Sequence, residues 1–194
     1  MIIRAAHEAD APAMGRVMVD TFLVAHRDQM PAEAWAKRAE EWTPEVSAQG
    51  WARTLREIAA GELAHECIYV AVEEGGEVIG LAMGGPAEAG DLPQTGAVYA
   101  LYVHVSHQGC GIGRRLVQAV AAYLAQQGMT ALQIGCLAAN APALRFYEAI
   151  GGRLAGERLF DEEGIMLPEV VYEWAAIETL VAKGRPEPED RQLP

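Results

Sequence analysis

The chain has 194 residues, 51% apolar and 22% charged, with a formal net charge of −12. That balance describes one globular domain large enough for a proper core, and the acidic surplus excludes the basic footprint that nucleic-acid binding needs. No stretch approaches the length of a membrane span, Arg4, Glu8 and Asp10 interrupt any signal-peptide core, and Cys67, Cys110 and Cys136, without metal-like spacing, suit a reducing cytoplasm.

Residues 1–4 read as a short strand. Asp10 is placed to cap the helix that follows, with Pro12 tolerated in its first turn. Met14, Val17, Met18, Thr21 and Phe22 recur at helical spacing and are expected to face the core. Pro31 opens a second helix, Thr43-Pro44 interrupts and restarts it, and Gly61 stops it. Trp35, Trp42, Trp51, Leu55 and Ile58 give that region an apolar stripe, which aromatic spacing alone assigns to core rather than to a pocket. Residues 67–73 and 78–83 then read as a hairpin around Glu74-Gly75-Gly76-Glu77.

The next stretch, VYALYVHVSHQGCGIGRRL from Val98 to Leu116, organises the rest. It predicts a strand over 98–105 with both faces apolar, a turn over 106–111, and a helix opening near Ile112. Gly109, Gly111 and Gly113 let the backbone turn without a Cβ in the way. The first amides of a helix lack partners within it, so this junction is a site for an anion, most naturally a phosphate or pyrophosphate. A branched side chain at 111 would occupy the anion's approach. The residues after the glycines are Arg114-Arg115, not the Lys-Ser or Lys-Thr of a magnesium-nucleotide loop. A dinucleotide fold wants a third glycine where Arg114 stands and a carboxylate on the next strand, 130–137, which has none.

Leu116, Val117, Val120 and Leu124 form the buried stripe of the helix, which ends at Gly128; the strand after it is expected to run parallel to the first. Asn140-Ala141-Pro142 opens another helix with Asn140 as its cap, and Gly151-Gly152 stops it. Residues 153–160 and 170–175 read as a closing antiparallel pair, whose strands could also pair between chains in a homodimer. The three prolines among charges after Lys183 predict a disordered tail over 183–194, leaving residues 1–182 as the single domain.

Two motifs carry a resemblance. Gln108-x-x-Gly111-x-Gly113 resembles the coenzyme A signature of the GNAT superfamily of N-acetyltransferases, and Asn140-x-x-Ala143-x-x-x-Tyr147 followed by Gly151 resembles that family's second landmark. The resemblance implies an α/β (α+β) fold: a mixed, mostly antiparallel central sheet flanked by helices, with one parallel strand pair splayed at the cofactor site. It implies acetyl-CoA as cosubstrate and no metal. Val103 and Val105 would offer backbone hydrogen bonds to the pantetheine arm. Amides of Gln108, Gly109, Cys110, Gly111, Ile112 and Gly113, with Arg114 nearby, would hold the pyrophosphate, and Asn140 either contacts the cofactor or only caps its helix. The implied reaction is direct attack of a primary amine, on a small molecule or peptide, upon the acetyl thioester. Tyr147 is the candidate general acid, a phenol able to give one proton to the departing thiolate; the other reading of it is a core tyrosine on an amphipathic helix. Many relatives carry a glutamate near the start of the central strand, and here Thr95-Gly96-Ala97-Val98 holds no carboxylate. His104, Glu88, Asp91 or ordered water are the candidates for the base. The missing glutamate keeps open a second reading, a non-catalytic acetyl-CoA-binding regulatory domain of the same fold.

Overall fold

The computed structural model describes residues 1–29, 31–87, 94–162 and 164–182. Seven strands form one sheet: β1 (Ile2–Ala5), β2 (Cys67–Val72), β3 (Val78–Pro86), β4 (Thr95–Val103), β5 (Ala131–Leu137), β6 (Arg153–Glu162) and β7 (Ile165–Trp174). Their order across the sheet is β1-β2-β3-β4-β5-β7-β6. Every neighbouring pair is antiparallel except β4–β5, which is parallel as the intervening helix requires. Helices α1 (Ala11–Ala25), α2 (Ala32–Glu41) and α3 (Pro44–Ala60) precede β2; α4 (Ile112–Gln126) joins β4 to β5, α5 (Ala141–Ala149) joins β5 to β6, and α6 (Glu178–Ala182) closes the described chain. Among the described residues no helix is long and apolar enough to cross a membrane. The expected tail over 183–194 lies outside the described residues.

Each face of the sheet has its own core. On one, α4 buries Leu116, Val117, Val120, Ala121 and Leu124 completely against Ala82, Val98, Leu132 and Ile134. Each such large side chain contributes about 1.5–3 kcal/mol relative to exposure, an upper bound because the unfolded chain also buries surface. On the other, Met14 and Val17 of α1 join Trp51 and Leu55 of α3 over Val70 and Leu81. Trp51 is therefore core, as its spacing suggested. Trp35 and Trp42 instead form a third cluster with Phe22, Tyr102, Leu137 and Leu167.

Boundaries differ from the sequence expectation where chemistry overrides pattern. The central strand runs over 95–103 rather than 98–105: His104 begins a one-turn helix, Val105–His107, capped by its own ring. β7 starts at Ile165, not 170, because Pro168 is tolerated within it. The Pro168 backbone faces β5's side, where its carbonyl accepts from the Ala138 amide at 2.8 Å and no ladder donor is lost. Asp10 does not cap α1 by its side chain. Its carboxylate takes two hydrogen bonds from Arg4, both 2.7 Å, and one from the His7 amide at 2.9 Å, tying β1 to the start of α1.

Asp10 is 6% exposed. Burial alone would raise its pKa, but the hydrogen bonds from Arg4 and His7 and their charges together hold it below the ordinary value. A depressed native pKa gives stability that is present above the unfolded value, roughly 3.9, and is lost as pH falls through the native one. Asp10→Asn is expected to lower unfolding free energy by about 1–3 kcal/mol at neutral pH. The gap to wild type should close in urea melts repeated at strongly acidic pH.

Candidate active site

β4 and β5 pair over only four positions, Thr95 with Ala131 through Val98 with Ile134. β4 continues to Val103 and β5 to Leu137 without pairing again, so the two strands part at Tyr99. Tyr99 is also an extra residue on β4: Gly84 opposes Val98 while Met83 opposes Ala100. Such a bulge bends the strand and shifts its alternation by one. Val98 faces α4, and beyond the bulge the α4 side is taken by Leu101 and Val103, while Ala100 and Tyr102 face α1. The His104 amide donates to Ile79 of β3 at 2.9 Å. By antiparallel alternation Ala100 and Tyr102 also turn their backbone groups to β3, and Leu101 and Val103 turn theirs to the gap. The Val103 carbonyl there accepts from Gln108 Nε2 at 3.0 Å and from Thr21 Oγ1 at 3.4 Å. Leu101 escaped sequence reasoning, although it shares the parity of Val103. Val105 sits in the turn instead of the strand and is exposed, so it does not share that edge.

The glycine turn leads directly off this strand. Gly109 and Gly111 have φ of 77° and 79°, a region other residues enter only with strain, and no protein atom comes within 4 Å of a Cβ built on either. Gly111 is the N-terminal cap of α4 and supplies no side chain. The first amide within α4 to find a backbone acceptor is that of Arg115, donating to Gly111 at 3.2 Å. The amides of Ile112, Gly113 and Arg114 have no partner among the described residues, at the positive end of a four-turn helix. Gly113 is a different case. It is helical, and a Cβ there would lie 3.2 Å from Phe146 Cζ of α5, so its smallness sets how closely the two helices approach. The Arg114 guanidinium reaches the Ala149 carbonyl at the end of α5, 3.4 Å away, and Cys110 is exposed with its thiol toward the Gln108 carbonyl.

α5 lies across the same opening. Asn140 caps it, its Oδ1 accepting from the Ala143 amide at 3.3 Å. Tyr147 is 6% exposed and packs edge-on to Phe146 and Trp174 and tilted to Tyr172, with centroids 5.2, 6.5 and 5.8 Å away. Its hydroxyl has no hydrogen-bond partner among the described residues. Burial pushes the phenol's pKa far above its ordinary value, and Cys136, Tyr102 and Glu169 push it further. Tyr102 and Glu169 belong to the opposite face of the sheet from Tyr147, and the two faces meet only where β4 and β5 part.

Tyr102, partly buried between the two clusters, has its pKa pushed up to about 12 by desolvation and by Glu162, against the pull of Arg38. Arg38 pairs with Glu162 at 2.8 Å and stacks over Trp42, 4.5 Å from its centroid. Glu169, 8% exposed, is paired with Arg158 and lies flat on β5. Sequence reasoning passed it over; an acidic residue amid the apolar run of 165–174 was the available signal. His104 stands apart: its Nδ1 meets Ser106 Oγ at 2.7 Å and its ring packs near His107, which faces Glu73. Glu88 and Asp91 lie outside the described residues.

A bulged strand thus parts from its parallel neighbour beside a helix start that no side chain caps, which joins an open strand edge to a place for an anion. Comparison with known proteins agrees. The sequence matches the profile of the Acetyltransferase (GNAT) family over residues 28–151, and the chain belongs to that family; it is an acyltransferase. The Bacillus subtilis N-acetyltransferase YuaI is 32% identical over 117 residues, 59% of this chain and 67% of that protein. A mycothiol acetyltransferase of Kocuria rhizophila is 40% identical over 63 residues, 32% of this chain and 21% of its own length. Among solved structures, an N-acetyltransferase from Staphylococcus aureus superposes with a TM-score of 0.66 at 22% identity, covering 91% of this chain and 98% of that one. YncA of Salmonella typhimurium, solved with its cofactor acetyl-CoA, gives 0.63 at 23% identity over 89% and 92%. At such identities these two show the shared fold.

Gly113→Val forces the Phe146 ring off α4 and is expected to lower stability by about 1–3 kcal/mol, read as a fall in melting temperature.

Proposed function

We propose that this chain transfers the acetyl group of acetyl-CoA to a primary amine of a small molecule or peptide by direct attack. The observation that carries the proposal is the gap between β4 and β5, opening beside three unbonded amides at the start of α4. A strand edge with free backbone groups suits the amide-bearing pantetheine arm. Leu101 and Val103 would hold that arm, with the Val103 amide in that role because its carbonyl already takes Gln108. The amides of Gly111, Ile112, Gly113 and Arg114 would hold the pyrophosphate, in a turn with room for it. Val105, Gly109, Cys110, the Arg114 side chain and Asn140 would border the cofactor. When bound, acetyl-CoA supplies an activated acyl group on a thiol leaving group.

The chain's own residues then have two tasks. One is to admit the acceptor as a free amine, since an alkylammonium with a pKa of about 10.4 cannot attack until it has lost its proton. The other is to protonate the sulfur as the carbon–sulfur bond breaks. Tyr147 suits the second: its hydroxyl has no hydrogen-bond partner among the described residues, and burial holds its pKa far above the ordinary value, so that it keeps its proton at working pH. His104 suits the first poorly, its ring being engaged with Ser106; release of the amine's proton to water in the gap agrees better with the geometry. The free thiols of Cys67, Cys110 and Cys136 suit a reducing cytoplasm.

Release of coenzyme A thiol from acetyl-CoA across a panel of primary amines tests the reading. Binding of acetyl-CoA without thiol release from any amine would favour the regulatory domain instead. Tyr147→Phe is expected to lower kcat by about 10²–10⁴-fold with the acetyl-CoA dissociation constant unchanged; an unaltered kcat removes the acid role. Gly111→Val places a β-branched residue at φ 79° and distorts the amide cradle, so calorimetry is expected to show coenzyme A affinity falling tenfold or more.

A further inference from the structure

Glu169 takes no part in holding acetyl-CoA or in protonating the thiolate, yet it is a nearly buried carboxylate on the acceptor side of the gap. It stands opposite Leu137, the last residue of β5, and opposite Arg158 of β6. Its side chain lies on the same face as Gly135, and a methyl group at 135 would sit 2.5 Å from its carboxyl carbon. The missing side chain at 135 is thus what lets the carboxylate lie against the strand. Oε2 accepts from Arg158 Nε; Oε1 takes no bond from the described residues. Arg158 of β6 pairs with Glu169, and Cys136 of β5 and Tyr147 of α5, on the other face of the sheet, are near enough to feel its charge. Beyond it the wall is apolar and aromatic, with Phe22 edge-on to Trp42 at 4.9 Å and Leu137 and Leu167 beside them.

One oxygen of this carboxylate is held within the protein and the other, which keeps contact with solvent, is open to a second cationic partner. Arg158 reaches one, from a side chain that is 47% exposed. The unbonded oxygen, the apolar wall beyond it and the phenol across the gap together describe a seat for a cation with a hydrocarbon body. We propose that Glu169 seats the ammonium group of the acceptor, which makes the substrate class an alkyl or arylalkyl primary amine that is cationic in solution. The proposal rests on the acetyltransferase reading. The chain's net charge of −12 would enrich such cations near the opening. In the reaction the seated ammonium loses one proton to water, its nitrogen bonds to the acetyl carbon, the carbon–sulfur bond breaks and the thiolate takes the Tyr147 proton; the second nitrogen proton then leaves and Tyr147 regains a proton from solvent, which gives a neutral amide and a free thiol. Glu169 is specificity-determining: it selects and orients the amine.

The test is equilibrium binding of n-butylammonium and phenethylammonium at neutral pH, with n-butanol as the neutral counterpart, to the full chain with and without coenzyme A. Wild type should prefer butylammonium to butanol by tenfold or more. Glu169→Gln should abolish that preference without altering coenzyme A affinity. Arg158→Gln, which removes the competing cation, should tighten ammonium binding severalfold. A merely structural ion pair predicts that both substitutions lower the melting temperature and that neither changes the preference. Equal binding of amine and alcohol by wild type, or ammonium affinity retained in Glu169→Gln, overturns the proposal. If Glu169→Gln fails to fold, the wild-type preference and Arg158→Gln decide. Lack of coenzyme A binding or of thiol release would count against the acetyltransferase reading alone, since ammonium binding is scored separately.

Discussion

The structure depends on one broken contact. β4 and β5 share only four paired positions before the bulge at Tyr99 bends β4 away, and the sheet survives the break because each strand keeps its other neighbour. β4 remains bonded to β3 up to the His104 amide, and β5 remains bonded to β7 through Leu137. A cleft made in this way does not hollow out the core. It exposes peptide groups of two buried strands, which are held rigidly by neighbours on their far sides and so keep their positions before any ligand arrives. The same parting lets side chains from opposite faces of the sheet sense one another, which an intact sheet would forbid.

The glycine turn works because three glycines answer three separate demands. Gly109 and Gly111 adopt a backbone conformation other residues resist, which turns the chain so that the α4 amides point outward. Gly113 has ordinary helical dihedrals and is small so that Phe146 of α5 can approach. The phosphate-side architecture and the position of Tyr147 are therefore mechanically linked: one residue after Phe146 lies the tyrosine, and the α4–α5 spacing sets its depth. A motif that reads as one cradle in sequence is a hinge of the backbone followed by a packing contact.

Much of the fold was legible. Hydrophobic alternation with turn chemistry found the β2–β3 hairpin, the opening of α4 at Ile112 and β5; the helix restarts at Thr43-Pro44 as read, and the cap at Asn140 fell where its side chain predicted. What escaped was set by tertiary partners. Asp10 reads as a cap, but an arginine six residues earlier claims its carboxylate. Pro168 reads as a strand breaker, but nothing requires its missing amide. The bulge at Tyr99 was invisible because the residues on both sides of it are apolar, so a shift of one position leaves the pattern unchanged. Glu169 gave only a weak signal: on a strand whose alternation includes Glu173, an acid in an apolar run looks like a solvent-facing position, and it is the packing against β5 and Arg158 of β6 that buries it. The tryptophans divide on the same principle. Trp51 is core, while Trp35 and Trp42 border Tyr102 and Leu137, and helical spacing cannot distinguish them.

The absence of a glutamate at the start of β4 has a physical counterpart elsewhere. Thr95, Gly96 and Ala97 are in the paired, buried part of β4, and Gly96 lies under Leu124 of α4, so a carboxylate there would be taken out of water. Carboxylates of this chain gather instead on the far wall, at Glu169 and Glu162, each with an arginine. Arginine keeps its proton at any working pH, so each of these carboxylates stands beside a permanent positive charge. That wall lies on the α1 side of the sheet, and the buried phenol of Tyr147 lies on the α4 side. Glu169 and Tyr147 belong to opposite faces of one sheet, and those faces meet because four paired positions are all that hold β4 to β5.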